Sequence, residues 1–264
     1  LPVDLDNDGF IDTVYMGDMG GNMWRFRLCA KGANCSASTW TGSLLYQTTA
    51  VERGSGLTPA SDSHKQIFTA ATATMDTSGN VWVYFGTGEN NSPTVKPTDT
   101  SDTKNRLFGI KEDPDFTATY TTSNLKDITS STFCTAIGTG CTAGQVTIDT
   151  TTKNGWYINL STNLLTRSDG TTITSPVGEK MISDPTVFGG VVYFTTHVPD
   201  QGAGSACGLS GDAFLYGINY LTGSGALPEP GAPRPEPGAV AATSRTNYIG
   251  HGIAAAPVLS MGPG

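Results

Sequence analysis

The chain is short of charge. Only 14% of its 264 residues are Asp, Glu, Lys or Arg, against about 25% in an ordinary soluble domain. Cations are the scarcer sign: 15 Lys and Arg stand against 23 Asp and Glu, a net charge of −8. That deficit argues against a nucleic-acid partner, which would be held through its phosphates. No apolar run is long enough for a transmembrane segment. No window keeps a 3.6-residue apolar period for long, so little helix is expected. The CxxC-like spacing of a zinc site is missing, and no Ser-His-Asp or paired-acid arrangement can be placed. An initiator Met and a leader are also missing: the chain opens at Leu1-Pro2-Val3 and stops at Gly264. It is read as a fragment or processed product of a longer protein.

What the chain does have is turn formers. Thirty-three glycines and 15 prolines among many β-branched residues indicate numerous strands joined by tight turns. A degenerate unit recurs. In "TVYMGDMGGNMWRFRL" (Thr13 to Leu28) an aromatic strand, a Gly-rich turn and a returning aromatic strand follow one another. "VWVYFGTGEN" (Val81 to Asn90) with "RLFGI" (Arg106 to Ile110), and "VVYFTTHVPD" (Val191 to Asp200) with "FLYGINYLTG" (Phe214 to Gly223), repeat the scheme. "AAAPVLS" (Ala254 to Ser260) reads as the entry strand of one more unit. The expected fold class is all-β, with antiparallel blades arranged as part of a β-propeller; a β-sandwich is the alternative. Strands are expected over Val14 to Met16, Met23 to Arg27, Val81 to Phe85, Leu107 to Ile110, Val191 to Thr195 and Phe214 to Ile218.

Two stretches interrupt the pattern. Residues 111–152, rich in Thr and Ser, read as an insertion packed on a blade. Residues 225–240, with Pro at nearly every second position, read as an exposed spacer or a docking segment. Of the five cysteines, Cys29 with Cys35 and Cys134 with Cys141 are separated by short Gly-containing spacers. Such spacing suits loop-closing disulfides and an oxidising compartment. Cys207 is left over. Asp18, Gly20, Gly21 and Asn22 read as a hairpin turn, and Trp24 and Trp156 as blade core. His64, His197 and His251 are assigned ordinary loop or core roles. Glu89, Asn90, Asn91 and Asp200 are placed at loop tips.

The strongest motif is "DLDNDGFID", which crowds four carboxylates into residues 4–12. Uncompensated, they would repel one another in so tight a loop. Ca²⁺ takes six to eight oxygens, and a loop can offer them from alternate residues if a glycine permits a sharp turn. With Asp4 in the first position, Asp6, Asp8, the Phe10 carbonyl and Asp12 fall in the third, fifth, seventh and ninth, and Gly9 in the sixth. The twelfth position, where an EF-hand has its bidentate Glu, is Tyr15 at the start of a strand. The loop is therefore a D-x-D-x-D-G-x-x-D type set between strands, with Asp12 expected to close the shell.

Read in order, "DLDNDGFIDTVYMGDMGGNMWRF", "GWYINL" (Gly155 to Leu160), "GEKMISDPTVFGGVVYFTT" (Gly178 to Thr196), "CGLSGDAFLYGINYLTG" (Cys207 to Gly223) and "IGHGIAAAPVLS" (Ile249 to Ser260) resemble the C-terminal domain of the PilY1/PilC family. These are type IV pilus biogenesis factors and tip-associated adhesins. The resemblance implies a modified, quinoprotein-like propeller over residues 1–264, exported to the bacterial cell surface, pilus tip or outer membrane. It implies that calcium occupancy is coupled to pilus extension and retraction, and hence to twitching motility. Minor pilins of the tip complex, the N-terminal portion of the same protein and a host or abiotic surface are the implied partners. No enzymatic activity is expected. A quinoprotein dehydrogenase would need adjacent cysteines over its cofactor, and the sequence has no Cys-Cys pair. An integrin-like or lectin-like binding module is the other competing class.

Overall fold

A computed structural model describes residues 1–29, 36–49, 65–88, 104–129, 153–161, 165–174, 176, 178–199, 211–228 and 243–258. Among these, helix is confined to two single 3-10 turns, at Ala37–Thr39 and Thr122–Asn124. Everything else that is regular is strand.

Sheet 1 is a meander of β1 (Pro2–Val3), β2 (Thr13–Gly17), β3 (Met23–Arg27) and β4 (Thr41–Tyr46), in that order. Sheet 2 runs β5 (Thr72–Met75), β6 (Val81–Gly86), β7 (Arg106–Lys111), β9 (Gly155–Asn159), β8 (Lys126–Asp127); β8 pairs parallel and the others antiparallel. A short ribbon, β10 (Leu165–Thr166) with β11 (Thr172–Ile173), precedes sheet 3. In sheet 3, β12 (Lys180–Met181) and β13 (Thr186–Phe188) both pair with β14 (Val191–Pro199), which continues to β15 (Gly211–Asn219) and β18 (Thr246–His251). A second ribbon joins β16 (Leu227–Pro228) to β17 (Thr243–Ser244). All six expected strands are present.

The sheets stack face to face, and the middle one shows why. Strand β6 reads VWVYFG, an unbroken apolar run, and every residue in it is buried. Alternate side chains leave a strand on opposite faces. Val81, Val83 and Phe85 pack with Tyr15, Met23 and Leu45 of sheet 1. Trp82 and Tyr84 pack with Trp156 of the same sheet and with Phe194, Phe214 and Tyr216 of sheet 3. A strand with two apolar faces needs a sheet on each side, which is the relation between neighbouring propeller blades.

Both entry hairpins carry one turn design. Asp18 and Asp76 each accept hydrogen bonds from the backbone and side-chain amides of the Asn four positions on, and from the indole N–H of the Trp six positions on. The glycine before each Asn, Gly21 at φ 81° and Gly79 at φ 82°, adopts the left-handed conformation the turn demands. Aligning Asp18-x-x-Gly-Asn-x-Trp24 with Asp76-x-x-Gly-Asn-x-Trp82 would have revealed the repeat.

Two expectations are corrected, and a third gains detail. The described part of residues 111–152 packs against two sheets. Tyr120 donates its N–H to Leu45 O, and its carbonyl accepts from Gln47 N, both at 2.8 Å, while β8 joins sheet 2, so the segment ties the first two sheets together. Residues 254–258 form no strand; Ala255 O and Pro257 O instead accept hydroxyl bonds from Thr195 and Thr186 of sheet 3. Trp156 is core, at 0% exposure, but Trp24 is only half-buried. Cys29 is buried and disulfide-bonded. Cys35, Cys134, Cys141, Cys207, His64, Glu89, Asn90, Asn91, Asp200, residues 130–152 and residues 229–240 of the Pro-rich stretch lie outside the described residues.

Candidate metal centre

The Asp4–Asp12 loop is the connection from β1 to β2. Its base is closed by the pairing of Pro2 with Val14 and of Val3 with Thr13, and by Asp12 N–H donating to Val3 O at 2.9 Å. Asp12 O in turn accepts from Leu28 N at 2.7 Å, anchoring the loop exit to the chain beyond β3. Between these anchors the backbone coils back on itself. Asn7, at φ 58°, and Gly9, at φ 92°, are both left-handed; at Gly9 that conformation would strain any other L residue.

Backbone donors orient the carboxylates. Gly9 N–H bonds Asp4 Oδ2 at 2.9 Å, and Phe10 N–H bonds Asp8 Oδ1 at 2.8 Å. The backbone amides that converge on Asp4, Gly9 foremost, hold its carboxyl below the usual carboxylate range. Asp4, Asp6 and Asp8 each place a carboxylate oxygen within 4.8 Å of the others. Oxygens on opposite sides of a Ca²⁺ with bonds of about 2.4 Å stand no farther apart than that. Asp4 Oδ1 is buried and has no hydrogen-bond partner among the described residues, an arrangement costly for a carboxylate oxygen that nothing compensates. The Phe10 carbonyl accepts no hydrogen bond among the described residues, and its side chain is 69% exposed. The donor set is all oxygen, as a hard cation requires, and fits calcium.

Asp12 is the most deeply buried of the four carboxylates. It is 2% exposed and does not belong to the three-carboxylate group; its Oδ2 accepts from Leu5 N–H at 2.7 Å. That bond holds the loop entry to its exit and leaves Oδ1, and the second lone pair of Oδ2, to face a cation.

Two buried carboxylates escaped sequence reasoning because their partners are distant in the chain. Glu112 receives Arg25 Nη1 at 2.5 Å and Tyr15 OH at 2.8 Å, all three side chains buried between sheets 1 and 2. Glu179, between sheets 2 and 3, accepts from Tyr216 OH and Thr196 Oγ1 at 2.8 Å and from Ser161 N–H at 3.0 Å. Burial pushes the Glu179 carboxyl up against the opposing pull of those donors. His197 is fully buried; its Nδ1–H donates to Gly252 O at 2.9 Å, and burial lowers its pKa. His251 is exposed on the rim, 3.1 Å from Asp212, which also holds Arg167. Neither histidine nor Glu112 nor Glu179 lies in the loop.

Residues 2–131 match the family model of the PilY1 beta-propeller domain. Over 233 residues the chain is 26% identical to a type IV pilus biogenesis factor PilY1 homolog of Xylella fastidiosa, covering 85% of this chain and 14% of that protein. Over 245 residues it is 29% identical to the type IV pilus biogenesis factor PilY1 of Pseudomonas aeruginosa, covering 83% and 20%. Residues 2–131 thus match the PilY1 beta-propeller domain, and the chain is similar to PilY1 proteins over more than four fifths of its length. The crystal structure of the Pseudomonas aeruginosa PilY1 C-terminal domain matches with a TM-score of 0.57 at 22% identity, over 86% of this chain and 47% of that one. At that identity the match speaks to the fold, and the three sheets are blades of a PilY1-type β-propeller. The chain spans a fifth or less of the length of these two PilY1 relatives.

Proposed function

We propose that the chain is a calcium-binding, non-enzymatic part of a type IV pilus biogenesis factor acting at the bacterial cell surface. The observation that carries the reading is the group Asp4, Asp6 and Asp8, converging within 4.8 Å in a loop that is itself the β1–β2 connection of a PilY1-type blade. Ca²⁺ supplies the charge that four neighbouring carboxylates lack. Asp4, Asp6, Asp8, the Phe10 carbonyl and Asp12 Oδ1 are the groups from this chain that would surround it. Water would complete the shell. Because the loop joins two paired strands, occupancy would stiffen the β1–β2 edge, and vacancy would loosen that edge before the buried seams yield. Minor pilins and the N-terminal portion of the same polypeptide are the partners through which such a change would reach pilus extension, retraction and adhesion.

Titration calorimetry on the purified chain tests the first half. One Ca²⁺ per chain is expected, with Mg²⁺ competing poorly because it keeps its waters and prefers a smaller octahedral cage. No uptake by the folded chain removes the reading. Complementation tests the second half: a strain carrying Asp8→Ala should assemble pili abnormally or twitch poorly with the protein present at normal level. Normal twitching with a protein shown to bind no calcium would separate the ion from the pilus role.

A further inference from the structure

We propose that a cleft between sheets 2 and 3 is a binding site for a neutral saccharide unit. Strands β5 and β13 lie side by side where the two sheets meet, and a cleft of about 380 Å³ opens there. Thr74 and Met75 line it from sheet 2; Phe188, the Gly189–Gly190 turn and Tyr220 line it from sheet 3. Its volume falls within the range of small-molecule pockets, about 300–1,000 Å³. The site is held in shape by the fold. Tyr220 N–H donates to Gly190 O at 3.1 Å, and Tyr220 O accepts from Tyr84 Oη at 3.1 Å and from Trp156 Nε1 at 3.2 Å. Gly189 at φ 59° and Gly190 at φ 80° form the left-handed two-residue turn between β13 and β14, where glycine is favoured. A Cβ at Gly190 would stand 3.6 Å from Tyr220 Cε1, so the turn lies along the edge of that ring.

The lining decides the class of ligand. It contains no charged side chain, and Asp76, next in the chain to Met75, turns its carboxylate into its own hairpin. An anion therefore meets no counter-charge, and a cation no open carboxylate. A hydrocarbon guest is served no better. The Tyr220 hydroxyl makes no hydrogen bond among the described residues, and Thr74 Oγ1 makes only a long one, 3.5 Å to Met75 O. Sealed under an apolar guest, both hydroxyls would lose water without replacement. Beside them stand two apolar side chains open to solvent, Met75 at 44% and Phe188 at 48% exposure. Apolar walls with a few hydroxyl and peptide groups are the usual lining of a site for a neutral ligand of mixed polarity. A pyranose is such a ligand, with C–H groups on its faces and hydroxyls round its rim. Phe188 offers a ring to the faces, and Tyr220 a ring with a polar tip. This site is separate from the calcium loop, which belongs to sheet 1.

An array of neutral and acidic oligosaccharides, with host-type and bacterial glycans in separate sets, tests this on the 264-residue chain. Saturation-transfer NMR then measures affinity for the best neutral probe, and the set from which that probe comes identifies the source. Expected is binding of a neutral oligosaccharide, weakened about tenfold or more by Phe188→Ala and by Tyr220→Phe, with circular dichroism unchanged. Both side chains reach solvent, so neither variant removes core. An array without a neutral hit overturns the proposal, and so does a preference for acidic glycans. Affinity unchanged in both variants overturns it as well, because the sugar then binds elsewhere. Anilinonaphthalene sulfonate supplies the apolar alternative: its binding, abolished by Phe188→Ala and not displaced by any sugar, would assign the cleft to a hydrocarbon guest.

Discussion

Arg25 and Glu112, 87 positions apart in the chain, meet as a buried ion pair with Nη1 and Oε2 separated by 2.5 Å. Arg25 belongs to sheet 1, and Glu112 follows the last strand residue of β7 in sheet 2. Neither charge has access to water: their side chains are 0% and 1% exposed. The pair is completed by Ser43 Oγ, which accepts from Arg25 Nε and Nη2, by Ala118 O and by the Tyr15 hydroxyl. Together they lock the register of one sheet against the next. An ionic lock inside an apolar seam contributes orientation more than stability, because desolvation offsets most of its Coulomb attraction.

Removing Glu112 leaves a buried Arg25 with only the more distant Asp113, 3.8 Å from its Nη1, as counter-charge. Glu112→Ala should therefore destabilise the chain by about 3–5 kcal/mol, read as a shifted urea midpoint. The double variant Arg25→Met, Glu112→Leu should recover most of that loss. If the double variant is as unstable as the single one, the pair contributes stability directly and the desolvation argument is wrong.

The turn aspartates make a second, independent prediction. Asp76 accepts from Ser78 N–H, Asn80 N–H, Asn80 Nδ2 and Trp82 Nε1, and these donors hold its carboxyl below the usual range against partial burial. Asp76→Ala strands the indole N–H of a Trp that is 1% exposed. The expected cost is about 1–3 kcal/mol. Asp18→Ala should cost less, because Trp24 can still reach water. Equal losses at the two positions would contradict this.

Glu179 has no cation hydrogen-bonded to it among the described residues, unlike Glu112. Its carboxyl is pushed up by burial, so the folded state binds a proton more readily than the unfolded chain does. Its contribution is then fully present below the ordinary Glu pKa and is lost as pH rises through the elevated folded value. Denaturation curves over a pH series should show Glu179→Gln losing less stability than the parent chain as pH rises across that window. Parallel curves would mean that Ser161 N–H, Thr196 and Tyr216 stabilise the carboxylate as well as water does.

Calcium should act as a stabilising ligand of the folded state alone. At a free concentration a hundredfold above its Kd, the expected gain is about 2.7 kcal/mol. Thermal unfolding with and without chelator measures it. Asp6→Asn and Asp8→Ala should remove the calcium-dependent increment, leaving stability in chelator close to that of the parent chain. A variant equally unstable with and without calcium would show that the loop carboxylates hold the fold by another route.

Local information was enough for a large part of this molecule. The alternation and turn chemistry of "TVYMGDMGGNMW" or "VVYFTT" specify strand, turn and strand, because each property depends on neighbours a few residues away. The candidate metal loop is local for the same reason: its carboxylates span residues 4–12, and Gly9 sits where the turn needs a left-handed residue. The sequence determined those elements by itself. Which sheet covers which was decided only by the tertiary structure. The unbroken run of β6 announces burial on both faces but cannot name Tyr15 on one side and Phe194 on the other. The Arg25–Glu112 pair, the Glu179 cluster and the bridging role of Tyr120 join residues far apart in the chain, through contacts that exist only once blades stack. Asp12 illustrates the boundary. Its place in the motif suggests a ligand; that its Oδ2 also accepts from Leu5 N–H, because folding brings the two ends of the loop together, is a geometry that spacing alone does not contain.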